Sequence, residues 1–302
     1  WTVDDDGAAD FDNIQAAINA ASNGDEILVM PGTYSGSGSY QVCQTLGKAV
    51  WIHSSDGPEV TVIDGEGIRR GFSCFNGETN TTIIDGFTIT NASGNTGGGF
   101  AISNSSPSIT NCVIVNNTTS QNGGGIYVFN GSPIVTNCTI SNNHADNSGG
   151  GIKSINSSSM NISDTVICGN TPDQVNGGFV DGGGNTIAEF CVPDADWTVD
   201  DDGNDYPDAD FDNIQDAINA ASDGDEIVVF PGTYTSTGNE VVNMSGKSVT
   251  LRSTDPSDPN VVAATIIDGE NTRRGINCEL HQTSSPIIEG FTITHGYAGQ
   301  HG

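Results

Sequence analysis

The sequence predicts an all-β fold, a parallel β-helix, from three observations. Short segments rich in Ile, Val and Thr recur at intervals of 25, 26 and 27 residues, aligned on Phe87, Cys112, Cys138 and Thr165. Glycine runs between them are spaced 26 residues apart, aligned on Phe100, Ile126 and Ile152. Asn and Gly separate the segments, and the LxxLxL pattern of leucine-rich repeats is absent. This period is typical of a solenoid whose coils must stack to bury their apolar faces.

The chain carries this pattern in two tandem modules, at residues 1–196 and 197–302. WTVDDDG opens both modules, and the segment from Asp10 to Tyr34 returns almost unchanged from Asp210 to Tyr234. The second module stops at the point where the first enters its glycine runs. We therefore expect an open coil edge there, which a further coil or another subunit covers.

Each module begins with a short strand, an acidic loop and an amphipathic helix. The helices are predicted at about 10–23 and 210–223, with Asp10 or Asp12 as the first N-cap and Gly24 as the residue after the C-terminus. The apolar face of each helix is expected to close the end of the coil stack. Short apolar strands then end at Pro-Gly turns.

The coils that follow are expected to contribute about three short strands each. Alternate residues such as Ile109, Ile114, Val135 and Ile140 are predicted to point inwards and stack. Asn and Gly at the corners tolerate left-handed backbone conformations. Asn116–Asn117 and Asn142–Asn143 are predicted to form stacked amide ladders along the axis.

The composition is strongly acidic, with a formal net charge of −30 and only eight Lys plus Arg. This charge disfavours binding to nucleic acid and to anionic membranes. No apolar run reaches the roughly 18 residues of a membrane span, so no direct membrane insertion is expected. Because the chain begins at Trp1 without an initiator Met, we interpret it as a mature, secreted form.

The seven cysteines are an odd number and form no CxxC pair, which argues against a zinc site. An oxidising, extracellular setting favours disulfides. Cys168 and Cys191 bracket the end of the first module and are predicted to pair. Cys43 and Cys74 are a second candidate pair, which would leave Cys278 free. For Cys112 and Cys138 the alternatives of a bond and of buried free thiols stay open.

These motifs resemble the right-handed β-helix, or pectin-lyase-like, superfamily. Trp1–Tyr34 and Trp197–Tyr234 match the opening W-x-V-D-D-D-G…F-x-x-I-Q-x-A-I…P-G-T-Y of modules in large secreted or surface proteins of bacteria and archaea. The resemblance covers essentially the whole chain and implies right-handed coils. It is weak for function, because the superfamily contains polysaccharide lyases, hydrolases, adhesins and passenger domains.

Calcium is the cofactor that the acidic loops favour, because Ca²⁺ prefers clustered carboxylate oxygens. The second loop is similar to DxDGxxxD calcium loops but lacks the full EF-hand spacing. The alternative is a solvated loop that also stabilises the helix N-terminus. The candidate ligands in the two modules are Asp4, Asp5, Asp6 and Asp10, and Asp200, Asp201, Asp202, Asp205, Asp208 and Asp210.

Catalytic residues are not predicted. A polysaccharide lyase needs a base and a cation near the substrate carboxylate, but the Arg69–Arg70 and Arg273–Arg274 pairs recur beside IDGE and favour structural ion pairs. Lys153 has no basic neighbour on its coil. A hydrolase needs paired carboxylates, yet the coils between Asp85 and Asp164 are expected to carry Asn111 and Asn137 at the Asp85 position.

N-x-S/T sequons are dense, and they are either glycosylation sites or a by-product of Asn-, Ser- and Thr-rich coils. The candidate sites are Asn80, Asn91, Asn104, Asn117, Asn130, Asn156 and Asn243. Taken together, the sequence predicts a non-enzymatic extracellular structural or surface β-solenoid that forms fibres or matrices by end-to-end stacking. The alternative is a carbohydrate-active β-helix enzyme or a glycan-binding adhesin.

Overall fold

Parallel strands dominate the computed structural model, which describes residues 1–36, 38, 40–156, 159–189, 191, 195–204, 206, 209–278 and 286–297. The chain divides into two compact units, Trp1–Glu189 and Phe190–Gly302. The sequence repeat places the module boundary between residues 196 and 197, seven residues later, because the repeat starts with the first strand of the second unit. None of the helices in the described part of the chain has the length and apolar character of a membrane-spanning helix.

The described residues of unit 1 form one helix, α1 (Ile14–Ala20), and twenty-four strands. In chain order they are β1 (Thr2–Val3), β2 (Glu26–Val29), β3 (Gly32–Ser35), β4 (Gln41–Gln44), β5 (Trp51–Ser54), β6 (Thr61–Asp64), β7 (Arg70–Cys74), β8 (Ile83–Asp85), β9 (Thr88–Thr90), β10 (Ser93–Thr96), β11 (Phe100–Ser103), β12 (Ser108–Thr110), β13 (Val113–Val115), β14 (Thr118–Asn122), β15 (Ile126–Phe129), β16 (Ile134–Thr136), β17 (Thr139–Ser141), β18 (His144–Ala145), β19 (Ile152–Ile155), β20 (Met160–Ser163), β21 (Val166–Cys168), β22 (Val175–Asn176), β23 (Phe179–Asp181) and β24 (Thr186–Ala188).

Unit 2 repeats the beginning of this order. Its elements are β25 (Trp197–Val199), α2 (Ile214–Ala220), β26 (Glu226–Val229), β27 (Gly232–Tyr234), β28 (Glu240–Asn243), β29 (Thr250–Ser253), α3 (Pro259–Ala264), β30 (Thr265–Asp268), β31 (Arg274–Asn277), β32 (Ile287–Glu289) and β33 (Thr292–Thr294). Helix α3 has no predicted counterpart; Asp258 caps it and Pro259 begins it.

The strands of unit 1 form three long parallel sheets and one short one. Sheet A has the order β1-β2-β5-β8-β12-β16-β20-β23, sheet B β24-β21-β17-β13-β9-β6-β3, and sheet C β22-β19-β15-β11-β7-β4, while β10-β14-β18 form the short sheet. Each complete coil therefore contributes one strand to each long sheet, as predicted. Unit 2 builds its own three parallel sheets, β25-β26-β29-β32, β27-β30-β33 and β28-β31.

The core of unit 1 consists of side-chain columns that run from coil to coil. Because successive side chains on a strand alternate between the two faces, one residue in two points inwards. The predicted inward residues Ile109, Ile114, Val135 and Ile140 are all fully buried. Burying an Ile side chain stabilises a fold by about 1.5–3 kcal/mol, so each added coil strengthens the stack.

The corners of the coils confirm the predicted left-handed asparagines. Positive φ angles occur at Asn91, Asn104, Asn111, Asn116, Asn130, Asn137, Asn142 and Asn156. A buried amide ladder runs beside them: Asn117 Nδ2 donates to Asn143 Oδ1 at 2.9 Å, and Asn143 Nδ2 donates to Asn170 Oδ1 at 2.9 Å. The ladder satisfies buried polar groups that an apolar core would leave unpaired.

The glycine runs allow neighbouring coils to approach closely at another corner. Gly98 N–H donates to Gly123 O and Gly124 N–H donates to Gly149 O, both at 3.1 Å. A Cβ atom on Gly124 would lie 2.5 Å from Gly150 O. These positions therefore exclude any side chain, which explains why the runs recur once per coil.

The capping helices are shorter than predicted. Helix α1 begins after Asn13, whose side chain accepts a hydrogen bond from Ala16 N–H, so the predicted N-caps Asp10 and Asp12 are wrong. The carboxylate of Asp10 is held by Thr2 instead. Helix α1 ends at Ala20, and Gly24, although its φ is +94°, belongs to the turn beyond Ala21. Asn213 caps helix α2 in the same way.

Both helices still cover the start of their coil stack. Ile14, Ala17 and Ile18 are buried on α1, and Ile214, Ala217 and Ile218 are buried on α2. Trp1 packs edge-on against Phe11 and donates its indole N–H to Asp25. Trp197 packs at a tilt of 55° against Phe211 and donates its indole N–H to Asp225. The tryptophans that open the two modules thus have a packing role.

Candidate functional site

An aromatic and carboxylate cluster lies on the outer face of sheet A. We define the Trp51 cluster as Glu26, Trp51, His53 and Asp85. The strand register brings them together, because Glu26 is opposite Trp51 and His53 is opposite Asp85. Trp51 is 41% exposed, and its ring stacks on His53 with centroids 4.0 Å apart and an angle of 17°.

Hydrogen bonds fix the groups of the Trp51 cluster. Trp51 Nε1–H donates to Asp85 Oδ2 at 3.2 Å, and His53 Nε2 lies 2.8 Å from Glu26 Oε1. Asn111 Nδ2 donates to the other oxygen of Asp85 at 2.7 Å. The two carboxylates are therefore held by donors around one partly exposed indole. Such an arrangement suits stacking and hydrogen bonding to a ligand better than proton transfer.

Comparison with the equivalent positions of unit 2 shows which contact of the Trp51 cluster occurs in both units. At the equivalent positions, Arg252 Nε donates to Glu226 Oε1 at 2.6 Å, and Thr250 stands where unit 1 has Trp51. A contact between a basic side chain and a glutamate of the neighbouring coil is thus shared, whereas the exposed indole belongs to unit 1. This cluster was not predicted; its signal in the sequence is the W-x-H alternation in β5 together with the coil spacing to Glu26 and Asp85.

The acidic loops bring together two of the predicted carboxylate groups. Carboxylate oxygens of Asp4, Asp5 and Asp6 lie within 4.8 Å of one another, and so do those of Asp200, Asp201 and Asp202. Both groups also have structural partners: Thr33 N–H donates to Asp5 at 3.2 Å, and Thr233 N–H donates to Asp201 at 3.0 Å. Calcium binding at these triplets stays a prediction, which calcium titration calorimetry would test.

The other predicted calcium ligands do not join these groups. Asp10 accepts hydrogen bonds from Thr2 N–H and Oγ1–H at 2.9 and 3.0 Å, and these bonds lower the pKa of Asp10 below its usual value. Asp210 holds Thr198 in the same way at 2.9 Å. Asp10 and Asp210 therefore connect the first strand to the end of the loop. Asp205 and Asp208 lie outside the described residues.

The structure confirms one of the two predicted cysteine pairs and contradicts the other. Cys168 and Cys191 are disulfide-bonded, which confirms the first predicted pair. Cys43 and Cys74 are free and buried, so the second pair is wrong. Cys43 lies opposite Phe72, two residues before Cys74. Burial raises the pKa of the Cys74 thiol to about 12, so this thiol is unreactive at neutral pH.

The sequons differ in accessibility. Asn117 is completely buried in the amide ladder, so its prediction as a glycosylation site is wrong. Asn243 is half-buried, and exposed positions are found for Asn80, Asn91, Asn104, Asn130 and Asn156. Asn130 Nδ2 donates to Asn104 Oδ1 at 2.7 Å, so these two corner amides already serve the fold. For the six accessible sites glycosylation stays a prediction.

The basic residues considered for catalysis have structural contacts. Arg69 pairs with Glu66 and Arg273 with Glu270, as predicted from the recurrence of both motifs. Lys153 donates to Asn176. The predicted register of Asp85 is wrong by one residue, because Thr110 lies opposite Asp85 and Asn111 follows it. Asp85 and Asp164 still belong to coils separated by two others.

Comparison with known proteins gives a family match. The family model described as "right handed beta helix region" matches residues 41–192. Neither a curated protein nor a solved structure matches the chain significantly.

Proposed function

Because this chain belongs to the right-handed β-helix family, whose fold occurs in enzymes and in non-enzymes, we propose that it is a non-enzymatic extracellular structural protein. Fold alone does not define function, so the proposal depends on the side chains. Its main support is that seven of the eight basic side chains have acceptors within the described part of the chain.

A polysaccharide lyase needs a cationic side chain free to neutralise the substrate carboxylate. Here Lys48 and Lys247 are bound to helix carbonyl groups, and Arg69, Arg273 and Arg252 to glutamates. These contacts favour a passive scaffold. The Cys168–Cys191 disulfide is typical of a protein that works in an oxidising compartment, which supports the extracellular location.

Incubation with a panel of uronate and neutral polysaccharides tests the proposal. We expect no unsaturated products and no new reducing ends over a day. The Lys153→Ala variant is the control, because Lys153 is the basic residue on the outer face of sheet C. Turnover that this substitution abolishes would overturn the proposal.

We also propose that the protein associates end to end through the last described coil of unit 2. There Ile293 continues the inward column of Ile267, yet its side chain is 54% exposed. Such an apolar coil edge suits a further coil of the same chain or a second copy of the chain, and our proposal concerns the second copy. Light scattering of the full chain should show species larger than a monomer, and Ile293→Asp should abolish them. A monomer under all salt and calcium concentrations would refute the association.

The Trp51 cluster favours a second candidate function, the binding of a neutral glycan. An indole face stacks on the apolar face of a sugar ring, and Asp85 and Glu26 offer acceptors to its hydroxyl groups. Trp51→Ala should weaken binding of a neutral oligosaccharide about tenfold, since loss of a stacking partner removes up to about 1.5 kcal/mol. Trp1→Ala, the other exposed tryptophan, is the matched control. Equal affinities for both variants and the wild type would exclude this site.

A further inference from the structure

Cys112 and Cys138 occupy equivalent corners of neighbouring coils. Strand pairing fixes this register, because Thr110 is opposite Thr136 and Val113 is opposite Thr139. Cys112 is 1% and Cys138 3% exposed, and both are free. The residues at this corner in the coils before and after are Phe87 and Thr165, so each thiol has a single sulfur neighbour along the column.

The separation of the two residues matches the requirement of a disulfide. Residues in register on adjacent parallel strands are about 4.8 Å apart, and bonded cysteines have Cα atoms about 4.4–6.8 Å apart. Cys43 and Cys74 do not meet this requirement. Cys43 is displaced by two residues along the strand from the partner of Cys74, which gives a separation of about 8 Å. The register thus distinguishes the two pairs.

The two thiols also influence each other. Interaction with the Cys112 side chain lowers the pKa of Cys138, whereas burial raises the pKa of Cys112. The thiolate is the attacking species in disulfide exchange, so two neighbouring thiols of this kind suit bond formation once an oxidant reaches them.

We propose that Cys112 and Cys138 form an inter-coil disulfide when the chain folds in the presence of a small-molecule disulfide oxidant. One of the two cysteines, as its thiolate, attacks one sulfur of the oxidant, forms a mixed disulfide and releases one thiolate. The other cysteine then loses its proton, and its sulfur attacks the protein sulfur of the mixed disulfide and displaces the second thiolate. Two protein thiols are oxidised and one oxidant disulfide is reduced to two thiols. The reaction occurs before the coils close over the pair.

Counting thiols in the full chain tests this bond. The protein is produced in an oxidising compartment, unfolded without reductant, treated with N-ethylmaleimide and weighed by mass spectrometry. Five cysteines are free when only Cys168 and Cys191 are bonded. The new bond would leave three, so three adducts are expected. Proteolysis should yield a peptide pair linked through Cys112 and Cys138. Five adducts would overturn the proposal.

Two variants identify the partners. Cys112→Ser releases Cys138 and should show four adducts. Cys43→Ser is the matched control, with an equally buried thiol outside the proposed bond, and should show two. Four adducts in Cys43→Ser would indicate a Cys43–Cys74 bond instead and refute the assignment. Circular dichroism should show that both variants keep the β-rich fold.

Discussion

Lys48 stabilises the end of helix α1, and removing its charge should open that helix. Its ammonium group donates three hydrogen bonds to backbone carbonyls, to Ile18 at 2.6 Å, Asn19 at 2.9 Å and Ala21 at 2.7 Å. The last turn of α1 contains no basic residue of its own. Lys48 reaches it from the connection between β4 and β5, so a strand connection supplies the positive charge that the helix C-terminus lacks.

The size of the effect follows from these contacts. A hydrogen bond to a charged group contributes about 1.5–3 kcal/mol, and a cation at a helix C-terminus about 0.3–1 kcal/mol. Asn19 is exposed, so water can replace Lys48 at that carbonyl. We expect Lys48→Met, which retains the apolar stem, to reduce the free energy of opening α1 by about 2–4 kcal/mol.

Hydrogen–deuterium exchange of the folded protein measures this opening directly. A loss of 2–4 kcal/mol corresponds to about 30- to 700-fold faster exchange in peptides covering residues 14–21. Lys153→Met is the matched control, because it removes the same charge from a half-buried lysine away from the helix. Exchange within threefold of this control would refute the role of Lys48. Lys247→Met should repeat the result in α2, because its ammonium group binds the equivalent three carbonyls at 2.7 Å.

Three further substitutions test the interior of unit 1. The Glu78 carboxylate accepts hydrogen bonds from four donors, and these bonds lower its pKa despite burial. The charged carboxylate therefore contributes fully to stability above the ordinary glutamate pKa. This contribution is lost as the pH falls through the lower pKa of the folded protein. Urea unfolding should therefore show Glu78→Gln destabilised by about 1–3 kcal/mol at pH 7, with the difference shrinking in acid; an equal difference at all pH values would contradict this. Asn143→Ala should cost about 3 kcal/mol or more in the same assay, because it interrupts the buried ladder, whereas Asn80→Ala, at an exposed position without a positive φ, should cost under about 1 kcal/mol; similar losses would show that burial does not matter. Gly124→Ala should lower the melting temperature by several degrees, and Gly178→Ala, whose added Cβ meets nothing within 4 Å, should leave it unchanged; a tolerated Gly124→Ala would refute the close approach of the coils.

The coil period was readable from the sequence because it depends on spacing alone. Ile109 and Val135 were assigned to the core from a 26-residue interval, and the strand register has that interval between β12 and β16. The corner asparagines followed from the same alignment. Between β8 and β12 the interval is 25 residues and not 26, and there the predicted alignment of Asp85 with Asn111 was wrong by one residue.

Features that depend on specific side-chain partners were harder to predict. The helix start was placed too early because the competing bond between Asp10 and Thr2 leaves Phe11 in a bridge with Val3. The Trp51 cluster joins residues from three different coils, so neither charge nor local pattern marks it. The Cys43–Cys74 assignment failed for the same reason, since it needed the strand register and not only proximity of the coils.

Charged residues are distributed unevenly along the chain, so added salt should affect the stability of its parts differently. Between residues 86 and 163 the chain has a single acidic residue, Asp146, and a single basic one, Lys153, while the remaining sequence carries all the net negative charge. Mutual repulsion is thus weak in the middle coils of unit 1 and greater in the acidic segments around them, which include the helix-capped start of each module. We expect added salt to stabilise those starts more than the middle coils of unit 1.

The constant register of the middle coils also has a consequence for evolution, because it determines which insertions and deletions in the gene the fold can accept. A segment of one full period contains every corner residue of a coil, one residue for each inward column and one asparagine for the buried ladder. Both of its ends join coils of the same kind. Recombination between repeats can therefore insert or remove a whole coil while every contact type is kept. Length becomes a heritable quantity that varies in steps of one coil, and selection can adjust it without changing the kinds of contact between coils.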